Sequence, residues 1–239
     1  MSQATTKYAI GAGASALSPL DSRPDNLTDL VFQAIRDSIV DQTLAPGSRV
    51  SEARVAAQLQ VSKTPVREAL LRLRHVGLVE PVERGLRVVR PSIQAIHNAY
   101  EFRAGIERSA AFFAAHRATT GEREELLGLA QSSFRAAEDG DGFEFRSYDN
   151  RFHRLIAQAS GNEVLRQAVE DSLVLTAVLR ERDVPRSGDS RSCASEHIDV
   201  AKAILGGEAD KAGDQNAGHI LHVMSLVLAA QANVNANGN

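Results

Sequence analysis

The sequence has one cysteine, Cys193, so no disulfide can close within the chain and no Cys-x-x-Cys pair is available for zinc or redox chemistry. Any metal ion would have to be held by His, Asp or Glu. There is also no run approaching the ~20 consecutive apolar residues that a bilayer-spanning helix needs, because charge interrupts every apolar stretch. The first 24 residues lack the charged start and continuous apolar segment of a secretory leader. They read as a disordered tail, and the expected location is the cytoplasm. Internal repeats and self-sufficient metal motifs such as HExxH are absent too. What remains is globular in character: 43% hydrophobic and 24% charged residues over 239 positions. That supports a sizeable core and, at roughly 150 residues per domain, one to two compact units.

The net charge of −3 conceals an asymmetry along the chain. Residues 46 to 91 hold nine basic and four acidic groups, whereas residues 92 to 239 hold 15 basic and 21 acidic groups. A basic module joined to an acidic one suggests that only the first faces a polyanion.

Hydrophobic periodicity predicts a helix from Thr28 to Leu44, with Leu30, Val31, Ile35, Ile39 and Val40 on one stripe and Thr28 as its cap. The Ala45-Pro46-Gly47 turn stops it, and Ser51 opens a short helix ending near Gln60. Ser62 can cap a third helix, with Pro65 in its first turn and Val66, Leu70 and Leu73 on its buried face, up to Gly77. Leu78 to Val82 and Leu86 to Val89 then read as a small hairpin. Three helices and a hairpin describe a winged helix-turn-helix over residues 25–91. After Pro91 the pattern is helical throughout, with helices expected at about 92–117, 121–138, 142–159, 162–184, 190–205 and 208–231. The expected fold is thus mainly α: a winged helix-turn-helix followed by an antiparallel helical bundle over 92–231, with a frayed tail over 232–239.

A helix that enters the major groove must carry its donors on the first turn or two, since only that end reaches base edges. Here Ser62, Lys63 and Thr64 sit at the tip of the third helix, and Arg67 follows one turn later. Arg49, Arg54, Arg72 and Arg74 are candidates for phosphate contact, and Gly85 at the hairpin tip, flanked by Arg84 and Arg87, would let a wing approach a groove. The alternative, that these charges are only the solvated faces of short helices, is countered by the combination of turn, tip chemistry, wing and local charge.

These residues resemble the GntR family of transcription regulators. The similarity runs from Leu44-Ala-Pro-Gly47 and Ser51-Glu52, through Val61-Ser-Lys-Thr-Pro-Val-Arg-Glu-Ala-Leu70, to Gly77-Leu-Val79. The resemblance implies a dimer that binds a double-stranded DNA operator. Two departures stand out. Lys63 replaces the usual Arg, so a bidentate guanine contact becomes a single-point one. A further DNA-contacting Arg of the family is Ala53 here, with Arg54 beside it.

In the helical half, Asp149 and His153 are four apart and share a helix face, His197 lies on an amphipathic segment, and His219 and His222 are three apart. Asp and His at this spacing more often form a surface ion pair, and a lone core histidine is more often simply hydrogen-bonded, so spacing alone favours those readings over a metal. Residues 92–230 resemble, however, the all-helical ligand-sensing FCD domain of the family's FadR branch. They carry Arg103 to Glu107, Asp149-x-x-Phe152-His153, Glu196-His197 with Ala203-Ile204, and His219. The resemblance implies that Asp149, His153, His197 and His219 hold a divalent metal ion, for which this donor set favours zinc or nickel over calcium. A small carboxylate effector would complete the coordination, with Arg103 either pairing with it or held by Glu107. The implied function is a ligand-responsive DNA-binding regulator, most often a repressor, with no catalytic residues. A metal sensor whose signal is the ion itself, or a metal-dependent hydrolase, are the alternatives; no general base stands beside the cluster to favour the hydrolase.

Overall fold

The computed structural model describes residues 26–180 and 187–237. The tail expected over residues 1–24 lies outside the described residues. The first half runs α1 (Asn26–Val40), β1 (Arg49–Val50), α2 (Glu52–Leu59), α3 (Lys63–Val76), β2 (Val79–Val82) and β3 (Gly85–Val88). The second half is helical among the described residues: α4 (Ile93–Arg117), α5 (Thr120–Glu138), α6 (Gly142–Ala159), α7 (Glu163–Leu179), α8 (Ser187–Leu205) and α9 (Ala209–Asn237).

In α1, Val31, Ile35 and Ile39 are buried at strict i, i+4 spacing, while Leu30 and Val40, expected on the same stripe, are 53% and 43% exposed. One 100° step per residue carries both off the line of contact with α3. Thr28 is not the cap: it lies inside α1, and its hydroxyl donates to Glu68 Oε2 at 2.9 Å. The helix also stops short of Leu44, closed by Leu44 N donating to Ser38 O at 2.7 Å. Gly47 has φ +80°, and a Cβ there would come within 1.9 Å of the Arg90 side chain, so only glycine fits the turn. Its N–H donates to Val88 O at 2.9 Å, bringing the strand that follows onto the hairpin.

That strand, β1, is too short to announce itself in the sequence. It pairs antiparallel with β3 through Arg49↔Arg87 and Val50↔Leu86, making a three-stranded sheet of order β1-β3-β2. Strand β2 starts one residue later than expected, β3 is displaced one residue toward the turn, and Gly85, with φ +95°, is the first residue of β3 rather than the tip, which is Glu83-Arg84. Ser62 holds the N-cap position of α3 in extended conformation without a side-chain cap bond. Pro65, Val66, Leu70 and Leu73 are buried as the pattern requires, and Gly77 ends the helix at φ +85°.

In the bundle, α4 is the central helix, contacting α6, α7, α8 and α9. Its buried Ala99, Ala104, Ala110, Ala111, Ala114 and Ala115 let these neighbours come close. Ser92 accepts from Ala95 N at its start, and Asn162 accepts from Val164 N and Leu165 N at the start of α7, as expected of a cap. Three boundaries differ from the sequence reading. Helix α7 ends at Leu179, with Arg180 extended, where 184 was expected; residues 181–186 lie outside the described residues. Ser187 and Gly188, assigned to a break, open α8. Helix α9 continues to Asn237 rather than fraying from 232, no glycine or proline intervening before Gly238.

The two halves share apolar surface. Val178 of α7 is buried in the winged-helix core with Val31, Leu70 and Leu73, and Val174 and Leu175 pack against it.

Arg123 ties the far end of the bundle together. It donates to Ala115 O and Ala118 O at the end of α4, and to Ile204 O and Leu205 O at the end of α8. Charged donors on carboxy-terminal carbonyls oppose the negative end of each helix dipole. Arg123→Met is therefore expected to lower stability by about 2 kcal/mol in urea unfolding; an unchanged midpoint would show that water replaces the guanidinium without cost.

Candidate metal centre and nucleic-acid interface

The bundle interior gathers four donor groups from three helices. Helix α6 supplies Asp149 and His153, α8 supplies His197 and α9 supplies His219, and all four residues are buried. His197 Nε2 lies 3.1 Å from His219 Nε2 and 3.4 Å from Asp149 Oδ1, and His153 Nε2 lies 3.8 Å from the same oxygen. All four donor atoms fall within 4.8 Å of one another. Ligands at ~2.0–2.2 Å from one ion stand roughly 3–3.5 Å apart, so this spacing suits a common centre.

The rings are oriented from behind. His153 Nδ1 is 2.6 Å from Glu107 Oε2, His219 Nδ1 is 2.7 Å from Glu196 Oε2, and His197 Nδ1 is 3.4 Å from Ser133 Oγ. A carboxylate behind an imidazole fixes the proton on Nδ1 and leaves Nε2 as a bare lone pair. In His153 that inward nitrogen is buried without a hydrogen-bond partner among the described residues, and in His197 and His219 the two inward nitrogens face each other. Both features fit a cation, and the unpaired His153 nitrogen is unfavourable without one.

Charge in the site follows from burial and proximity. Burial opposes ionisation of Asp149, but the neighbouring His153 and His197 rings and the Arg180 and Arg103 guanidinium groups outweigh it and draw its pKa down to about 2. Burial likewise opposes charge on Glu107, yet Arg103 and His153 hold it well below the usual carboxylate range. Burial and the His153 ring push His219 down to about 3, and burial and His219 push His197 well below its ordinary value. These two rings are neutral at physiological pH, the form that binds metal.

Arg103, left by the sequence between an effector contact and a partner of Glu107, is buried and donates to Glu107 Oε1 at 2.6 Å and to Thr176 Oγ1 at 3.2 Å. Its role as the support of Glu107 is thus built in. The orienting functions of Glu107 and Glu196 were missed, although both stand beside the residues singled out; Ser133, Thr176 and the buried, unpartnered Tyr100 hydroxyl had no sequence signal at all. His222 lies on the outer side, its Nδ1 2.7 Å from Glu196 Oε1.

At the other end of the molecule, Ser62, Lys63 and Thr64 are exposed at the start of α3, with Lys63 in no salt bridge among the described residues. Arg67 is exposed but gripped by Glu52 of α2, its Nη2 3.0 Å from Glu52 Oε2. Arg49 and Arg54 border a groove between α1, β1 and α2, so Arg54 does not share the α3 side of α2 that Glu52 occupies. Arg72 pairs with Asp29 and stacks 4.4 Å over the Phe32 ring, which turns it toward α1 and away from the tip.

The neutral histidines set the acid response of the metal-free protein. His219 stays unprotonated when folded but takes a proton near 6.5 when unfolded, so stability is full above that value and declines as pH falls toward about 3. Asp149 adds a further loss between 3.8 and about 2. Thermal midpoints should therefore drop between about pH 7 and pH 5, and His219→Gln should flatten that slope; a midpoint that rises on acidification would contradict the assignment.

Comparison with known proteins agrees with this architecture. Residues 27–87 match the family described as bacterial regulatory proteins, gntR family, and residues 98–222 match the FCD domain. The chain is 30% identical to the putative L-lactate dehydrogenase operon regulatory protein of Escherichia coli, over 84% of this chain and 86% of that protein. It is 28% identical to the probable D-xylose utilization operon transcriptional repressor of Paenarthrobacter nicotinovorans, over 91% and 98%, and 25% identical to the transcriptional repressor RspR of E. coli, over 75% and 79%. E. coli McbR/YncC superposes with a TM-score of 0.69 at 21% identity, over 86% of this chain and 98% of that one, a likeness of fold. These relatives are regulators rather than enzymes, which removes the hydrolase alternative. No described helix is long and apolar enough to cross a membrane. With a helix-turn-helix of one kind leading into an FCD bundle, the chain belongs to the GntR family of DNA-binding transcription regulators.

Proposed function

We propose that the chain is a homodimeric repressor that leaves its operator when a small carboxylate effector occupies the bundle. The observation that carries the effector side is the inward, unpartnered Nε2 of His153 among three other converging donors. A zinc or nickel ion held by Asp149, His153, His197 and His219 would supply the Lewis acidity that anchors a carboxylate. The buried Tyr100 hydroxyl, lying in the field of Arg103 and Asp149, is a donor available to such a ligand. Arg103 acts through Glu107 instead of touching the effector, in keeping with its two hydrogen bonds.

The same residues offer a route to the reading head. His153 leans on Glu107, Glu107 on Arg103, and Arg103 on Thr176 of α7, a helix whose next-to-last residue, Val178, is buried in the winged-helix core. A change in the position of His153 is thereby felt where α7 meets α1 and α3. An effector shifts the dimer only as far as it prefers one geometry over the other. Because this route runs from the donor cluster without an organic ligand, a direct metal sensor is the second reading. Operator affinity that follows zinc or nickel alone, with no further response to organic acids, would establish it.

At the DNA, Lys63 and Thr64 would meet base edges and Arg67 would exchange Glu52 for the duplex, while Arg49, Arg54 and Gly85 flank the groove. On a duplex selected from a random library, Lys63→Ala and Arg67→Ala should each weaken binding by roughly 1–3 kcal/mol, about fivefold to more than a hundredfold in fluorescence anisotropy. Wild-type affinity in both tip variants would defeat the assignment of the reading head.

A further inference from the structure

One cluster lies outside the centre described above. Cys193 and Glu196 are three apart on α8, and His222 follows His219 by three on α9, so both pairs point to the same side of the helix interface one turn along. Their donor atoms, Sγ, a carboxylate oxygen and a ring nitrogen, all lie within 4.8 Å of one another. We propose that Cys193, Glu196 and His222 form a second cation site, suited to a thiophilic divalent ion such as zinc and joined to the first centre through Glu196.

Three observations support it. First, His222 Nδ1 is buried and stands 2.7 Å from Glu196 Oε1 in a contact whose angles among the described residues are poor for a hydrogen bond, so two potential ligand atoms are held close together. A ring held for hydrogen bonding alone would be turned into line. Second, the set combines sulfur, nitrogen and oxygen donors, which zinc accepts together and calcium or magnesium do not. Third, Cys193 is fully buried, while Glu196 and His222 are about one-third exposed at 33% and 32%, leaving an approach from solvent. Burial pushes the Cys193 thiol far up, so without a cation it stays protonated. On binding, the S–H bond breaks, a sulfur–metal bond forms and the proton passes to the buffer, with no change in oxidation state.

The shared carboxylate gives the site a consequence for its neighbour. Glu196 Oε2 faces His219 Nδ1 at 2.7 Å while Oε1 faces His222. A cation drawing on Oε1 removes electron density from Oε2, weakens the support behind His219, and lowers the affinity of the first centre.

Cobalt(II) distinguishes the two centres, since only the second contains sulfur. Full-length protein, reduced and freed of metal, should take up a second equivalent of cobalt(II) with a thiolate-to-metal band in the near ultraviolet. Cys193→Ser and, independently, His222→Ala at the one-third-exposed ring should each abolish the second equivalent and the band. Asp149→Ala should lose the first equivalent and keep the band, so failure of the first centre is separable from failure of the second. A band that survives Cys193→Ser, a band unaffected by His222→Ala, or wild-type protein that fills one site without any thiolate band would each overturn the proposal.

Discussion

The ion pair between Arg103 and Glu107 is the constraint on which the helical half is organised. Both groups are buried on the central helix, and a charge removed from water is tolerated only where partners and hydrogen bonds replace the solvent. Glu107 meets that demand from several directions: Arg103 one turn before it, His153 from α6 and the Asn216 amide from α9, which donates to its Oε2 at 3.4 Å. Removing either charge would leave the other uncompensated, which is why this pair fixes how α6, α7 and α9 lie against α4. The pair does not add stability in the manner of apolar packing; it selects one arrangement of helices, the one in which the imidazoles converge.

Much of this was legible in the chain. Buried stripes on α1 and α3, the Asn162 cap, the Gly77 stop and the Pro91-Ser92 passage between halves all follow from short-range chemistry that a sequence displays directly. The four donors were also visible, Asp149 and His153 by spacing and the set by resemblance. The unreadable parts depend on tertiary partners. Strand β1 is two residues long and exists because Gly47 hydrogen-bonds to Val88. Arg72 carries a charge that looks available for phosphate until Asp29 and Phe32, some forty positions away, are seen beneath it. Ser133 lies behind His197 only because α5 packs on α8, a pairing that no local pattern encodes.

The electrostatic contrast between the halves acquires a structural counterpart. At the tip of α3, basic side chains remain at the surface, with Lys63 in no salt bridge among the described residues and Arg67 held by Glu52. In the bundle, the charges that matter are enclosed and neutralised by one another. The first arrangement suits rapid exchange with a hydrated polyanion, and the second suits slow, selective occupation.

The burial of Val178 among the residues of the winged-helix core bears on how such proteins can be recombined. Residues 25–91 read as a self-contained unit along the chain, yet one wall of their interior is furnished by a helix that begins at Glu163. A chimera that grafts this reading head onto a foreign sensor would inherit the grooves' specificity but leave a hydrophobic flank bare unless the new sensor presents a matching aliphatic edge. Compatibility between shuffled halves is therefore decided by a few side chains on α7, far in sequence from the junction itself.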